Sequence, residues 1–166
     1  MIKKHLRKYI VLLICFSYVV VILIGAYISE RKISPWIKKE NVVYIPDTLA
    51  SKFYHEFWSI DDIHYWIIKP NDEELENILK DIETDSWSEI ENHHGLFLSK
   101  YRGYFRDSNV VADIFDSNEK YICIYDSWHK EIVTNYPDVT EINSTQWLFF
   151  IYDVENNLYY CFYVTE

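Results

Sequence analysis

Asp126, Ser127 and His129 bring an acid, a hydroxyl and an imidazole within four residues, the types from which an orienting carboxylate, a nucleophile and a base are made. Side chains so near in sequence seldom converge in those roles, and no nucleophile elbow surrounds Ser127. The spacing instead predicts a turn in which Asp126 and Ser127 bond the local backbone. Asp62 and His64 fall on one face of an expected strand, and His93 and His94 could add further imidazoles for a metal. The set matches no ligand pattern, and Glu91-x-x-His94 lacks the second copy that a di-iron bundle needs. Ordinary surface or turn histidines are the simpler account, so neither metal nor cofactor is expected.

Lys100, Arg102 and Arg106 lie on one face of an alternating run, Leu96 to Arg106, and form a basic stripe. Cross-strand pairing with acids accounts for such a stripe; contact with an anionic ligand or a lipid headgroup is the alternative. Cys123 and Cys161 each sit within a short aromatic run of strand length. If the two strands are neighbours outside the cytoplasm, a disulfide could join them; two buried thiols are the other reading. Six Trp and fifteen Tyr supply large apolar surfaces for a small core. Trp58, Trp66, Trp87 and Trp128 fall at element ends or in loops, where interface residues are carried. Glu89, Glu91, Asp126 and Trp128 are the candidate contacts for a protein partner.

What must hold these residues in place begins with an anchor. Tyr9 to Ser29 is twenty-one residues without a charge, bounded by Lys3, Lys4, Arg7 and Lys8 before it and Glu30, Arg31 and Lys32 after it. As a helix it would reach about 31 Å, the thickness of a bilayer's hydrocarbon core. A cleaved signal peptide fits poorly, since its apolar region is shorter and cleavage wants small residues at positions −3 and −1. Cutting after Ala26 would place Ile24 at −3, and cutting after Ser29 would place Tyr27 there. Ile14 before Cys15 likewise argues against a lipoprotein site. Four bases precede the span and four (Arg31, Lys32, Lys38, Lys39) follow it, so the positive-inside rule alone is tied. Crowding of the first four into an eight-residue tail favours a cytoplasmic N-terminus and an exported domain. The expected organisation is a cytoplasmic tail over 1–8, a membrane helix over 9–29, a juxtamembrane connector over 30–41 and a soluble domain over 42–166.

Beyond Ser29 there are 12 bases against 26 acids, a net of −14. Phosphate backbones repel such a surface, which argues against nucleic-acid binding. Only Gly95 and Gly103 occur in the domain, so glycine-rich phosphate loops are excluded. Val42 to Ile45 reads as a strand ended by Pro46. Leu49, Phe53 and Phe57, at i, i+4 and i+8, predict a short helix from Asp47 to about Trp58. Ile63 to Ile68 is a strand. Asn71 followed by Asp72, Glu73 and Glu74 is a helix start with a capping box, and Leu75, Ile78, Leu79 and Ile82 extend it to about Glu83. Thr84 to His94 is a loop or a second short helix.

Val110 to Phe115, Tyr121 to Tyr125, Ile132 to Tyr136, Gln146 to Tyr152 and Leu158 to Val164 are strand-length runs. Gln146 to Tyr152 is apolar on both faces and should be central, with the last run its hairpin partner. An α+β domain follows, a mainly antiparallel sheet with one or two packed helices. No stretch carries a catalytic or family signature. A small acidic domain on one helix resembles, in layout, the membrane-held immunity proteins that neutralise bacterial toxins. That layout implies an extracytoplasmic protein-binding inhibitor at the cell membrane. A structural subunit of an envelope complex, contacting its neighbours through the span, and an envelope enzyme using the histidines and carboxylates are the alternatives.

Overall fold

The computed structural model describes residues 2–58, 61–89, 119–133 and 146–165. Helix α1 (Ile2–Arg31) is followed by a short helix α2 (Pro35–Glu40). Strands β1 (Lys52–Trp58) and β2 (Asp61–Ile68), helix α3 (Asp72–Ile82) and a two-residue strand β3 (Ser88–Glu89) come next, then β4 (Lys120–Asp126), β5 (Glu131–Ile132), β6 (Gln146–Asp153) and β7 (Leu158–Thr165). Among the described residues the sheet runs β1-β2-β7-β6-β4-β3, with β5 paired to β4. Every pairing is antiparallel. The domain is α+β, as the residue pattern predicts.

The apolar helix runs beyond the uncharged stretch at both ends, and Tyr9–Arg31 is long and apolar enough to cross a membrane. From Tyr9 to Glu30 its side chains are exposed, Val20 alone being half-buried. β6 lies between β7 and β4 and buries seven consecutive residues, Trp147 to Asp153. Its continuous apolar run is therefore that of an interior strand, with both pleat faces covered. On one face Leu148, Phe150 and Tyr152 of β6, Tyr159 and Cys161 of β7, and Trp66 and Ile68 of β2 form a core with Ile37 of α2 and Ile78 of α3. On the other, Tyr65, Tyr160 and Phe162 cluster, the Tyr160 and Phe162 rings lying parallel at 6.2 Å.

The α3 start has the predicted capping box: Asn71 Oδ1 accepts from the Glu74 backbone N–H, and Glu74 accepts from the Asn71 backbone N–H. Glu74 also accepts from the backbone N–H groups of Asp47 and Thr48 and from the Thr48 hydroxyl at 2.6 to 2.8 Å. One buried carboxylate thus ties the helix to the segment that crosses the core.

Two elements differ from expectation. The helix predicted from Asp47 is strand β1, paired residue for residue with β2 from Lys52↔Ile67 to Trp58↔Asp61. A spacing of four is a multiple of two as well as nearly one helical turn, so Leu49, Phe53 and Phe57 suit one face of either element. Aromatic residues on a strand-forming backbone decide it. Val42 to Ile45 is not a strand but an irregular strap on the core, bending at Val42 and Val43, with Val43 buried and the Tyr44 backbone N–H bonded to Asp81 Oδ2 at 2.8 Å. A helix side chain satisfies that backbone in place of a neighbouring strand.

Candidate functional site

Residues expected to form a connector are packed into the domain. Ile33 and Ile37 are buried, and Arg31 stitches the foot of α1 to the chain before β1. Its guanidinium donates to the carbonyls of Ala50 and Ser51 at 3.1 and 3.0 Å, its carbonyl accepts from the Ala50 N–H at 2.9 Å, and it lies 4.5 Å from the Tyr27 ring centroid. The Trp66 indole N–H reaches the Glu30 carbonyl at 3.1 Å. The helix therefore leaves the domain in a bonded direction rather than through a free linker.

Beside this junction lies a cleft of about 440 Å³. Its lining includes Trp36, Phe53, His64, Trp66 and Tyr163, contributed by α2, β1, β2 and β7, together with Glu30 in the last turn of α1 and Lys32 just after it. The rings touch in sequence: Trp36 meets Tyr163 edge-on at 4.7 Å, Tyr163 lies 6.0 Å from His64, His64 stacks on Trp66 at 5.8 Å, and Trp66 lies 5.5 Å from Phe53. Alternation along β2 puts His64 and Trp66 on one face, and the β2–β7 register sets Tyr163 opposite His64. The sequence holds the signal for this cleft, but reading Phe53 into a helix concealed it. His64 thus lies in an aromatic cleft, with Asp62 two residues before it on β2. Among the described residues no three potential metal ligands converge, and His93 and His94 lie outside those residues.

At the far edge of the sheet, residues 127–130 turn from β4 into β5. Asp126 is buried, and its Oδ1 accepts the backbone N–H groups of Trp128 and His129, both at 2.9 Å. Its Oδ2 lies 2.7 Å from His129 Nδ1. The hydrogen bond and charge of Asp126 raise the pKa of the His129 imidazole. Ser127 Oγ donates to Gln146 Oε1 at 3.4 Å rather than to His129. Asp126 bonds the local backbone as the sequence predicts, whereas the Ser127 hydroxyl bonds the Gln146 side chain instead, and Asp126 is an organiser of the turn rather than a surface contact. The tip is Trp128, 66% exposed where most aromatic side chains of the sheet are buried. Glu89 is exposed on β3, in register with Tyr121 of β4.

Cys123 and Cys161 are free and buried. They lie in register with the same residue, Phe150 of β6, which stands between them. Two strand spacings, about 9.6 Å, exceed the separation of about 7 Å that a disulfide can bridge, so the two strands are not the neighbours a bridge would need and the other reading, two buried thiols, holds. Burial pushes the Cys123 thiol up to about 12 and raises that of Cys161, which leaves both inert. Trp66 and Trp87 are buried, Trp87 donating to Asp81 Oδ2 at 3.0 Å. Glu91 and the stripe of Lys100, Arg102 and Arg106 lie outside the described residues, as do the expected strands Leu96 to Arg106 and Val110 to Phe115.

Comparison with protein-family models, with curated proteins and with solved structures gives no match.

Proposed function

We propose that this chain is a single-pass membrane protein with a cytoplasmic N-terminus, whose acidic extracytoplasmic domain captures a protein partner without catalysing a reaction. The observation that carries this is α1: a run of exposed apolar side chains, costly in water at roughly 25 cal/mol per Å² of apolar surface, ends in Arg31 and its bonds to the domain. In lipid that surface has no such cost, and the domain is held at a fixed attitude to the membrane. Trp128 supports the binding role. An indole presented on a turn anchored by a buried carboxylate has the rigidity and area of an interface anchor. The domain's negative charge favours a basic partner. Neutralisation of a toxin at the membrane is the narrower form of this reading.

A photo-reactive residue placed at Trp128 of the full-length chain should give a discrete protein adduct in intact cells, absent when the same residue replaces exposed Glu83. Adducts of equal yield from both positions, or none from Trp128, would contradict the assignment. Exchange of Tyr9 to Ser29 for an unrelated span separates this role from that of a structural subunit, because capture at Trp128 should survive it.

A further inference from the structure

We infer that the aromatic cleft at the foot of α1 receives the ammonium end of a zwitterionic phospholipid headgroup, an assignment that rests on α1 being in the bilayer. A span of Tyr9–Arg31 measures about 34 Å against a hydrocarbon core of about 30 Å, which sets Ser29 to Lys32 at headgroup depth. Ser29, Glu30 and Lys32 are part of the cleft lining, so the cleft opens where headgroups are. Its volume of about 440 Å³ falls in the range of small-ligand pockets.

The chemistry of the lining selects the occupant. Cations are drawn to the faces of Trp, Tyr and Phe rings, and here four such rings, Trp36, Phe53, Trp66 and Tyr163, gather from four elements beside the His64 imidazole. Trp66 is buried and forms the floor, while Trp36 is 38% exposed and Phe53, His64 and Tyr163 are half-buried, so part of the ring surface faces the cleft. Glu30 adds a negative charge and Lys32 a positive one on the same lining, a pair that complements the ammonium and phosphate of one zwitterion. A headgroup with phosphate and no amine would meet Lys32 but leave the rings and Glu30 without a cation.

The test uses the full-length chain extracted in mild detergent from membranes of equal parts phosphatidylethanolamine and phosphatidylglycerol, with native mass spectrometry reading the lipid retained. Wild type should retain phosphatidylethanolamine over phosphatidylglycerol by about fivefold, equivalent to about 1 kcal/mol of cation–aromatic attraction. Glu30→Gln and Trp36→Ala should each bring the two lipids near parity, while Trp128→Ala should leave the preference intact. Glu30→Gln leaves every ring in place, so its result stands if Trp36→Ala unfolds. Parity in wild type, or a preference unchanged in both variants, overturns the proposal. A chain found in membranes but showing parity contradicts the headgroup assignment alone; a chain absent from membranes contradicts the anchor reading instead.

Discussion

Asp126 and Glu74 show how single buried carboxylates are used in this domain. Each accepts several N–H or O–H groups and so fixes a turn or strap that the sheet alone would not hold. Burial by itself would push the Glu74 carboxyl up, but hydrogen bonds from Thr48, Asn71 and Asp47 outweigh it and hold the group below its ordinary value. Its stabilising contribution is therefore present above the unfolded carboxyl pKa and is lost as pH falls through the lower folded value. Glu74→Gln should cost about 2 kcal/mol at neutral pH and should flatten the acid limb of stability measured by denaturant titration. His129 has the opposite sign. Its raised pKa gives a contribution complete below the ordinary histidine value of about 6.5 and lost as pH rises through the folded value. Asp126→Asn should return the His129 titration, followed by NMR, toward that ordinary value and loosen the turn under Trp128. The turn was legible from the side-chain chemistry of Asp126; its burial was not, because it depends on where Asp126 falls between β5 and β6.

At the scale of elements, helix α3 and strands β2, β4, β6 and β7 could be read from the chain because local signals and packing agree there. Asn71 and Glu74 cap α3 as their spacing demands, and Trp147 to Tyr152 is apolar on both faces because neighbours flank it. β1 was misread because its apolar spacing fits both periods. The strap over Val42 to Ile45 was misread because its hydrogen-bond partner, Asp81, is 37 residues from Tyr44. The same dependence on distant partners governs a buried ion pair between paired strands. Lys120 Nζ lies 3.3 Å from Asp153 Oδ2 with neither side chain exposed, at the Lys120↔Asp153 register position of β4 and β6. Lys120→Met would strip a cation from a buried carboxylate that keeps its hydrogen bonds from Asn156, a loss of about 3 kcal/mol. Thermal unfolding should show that loss, with part of it recovered when Asp153→Asn is added. An unchanged midpoint in the single variant would mean the pair does not fix this register.

For the whole molecule, the sequence reads as a span, a connector and a domain, whereas the structure joins the three. Ile33 and Ile37 enter the core, and the Arg31 bonds run from the last turn of α1 to the start of the sheet. A charge-rich stretch containing a proline resembles a linker locally; only the tertiary partners Ala50, Ser51 and Trp66 reveal it as a clamp. This rigidity is what would let Trp128, on the opposite edge of the sheet, be presented at a constant distance from the bilayer. All of it depends on where α1 resides. Washing cell membranes at alkaline pH and sedimenting them at high speed should leave the full-length chain in the pellet, solubilised only by detergent. Recovery of the intact chain in the supernatant of that wash would contradict the account.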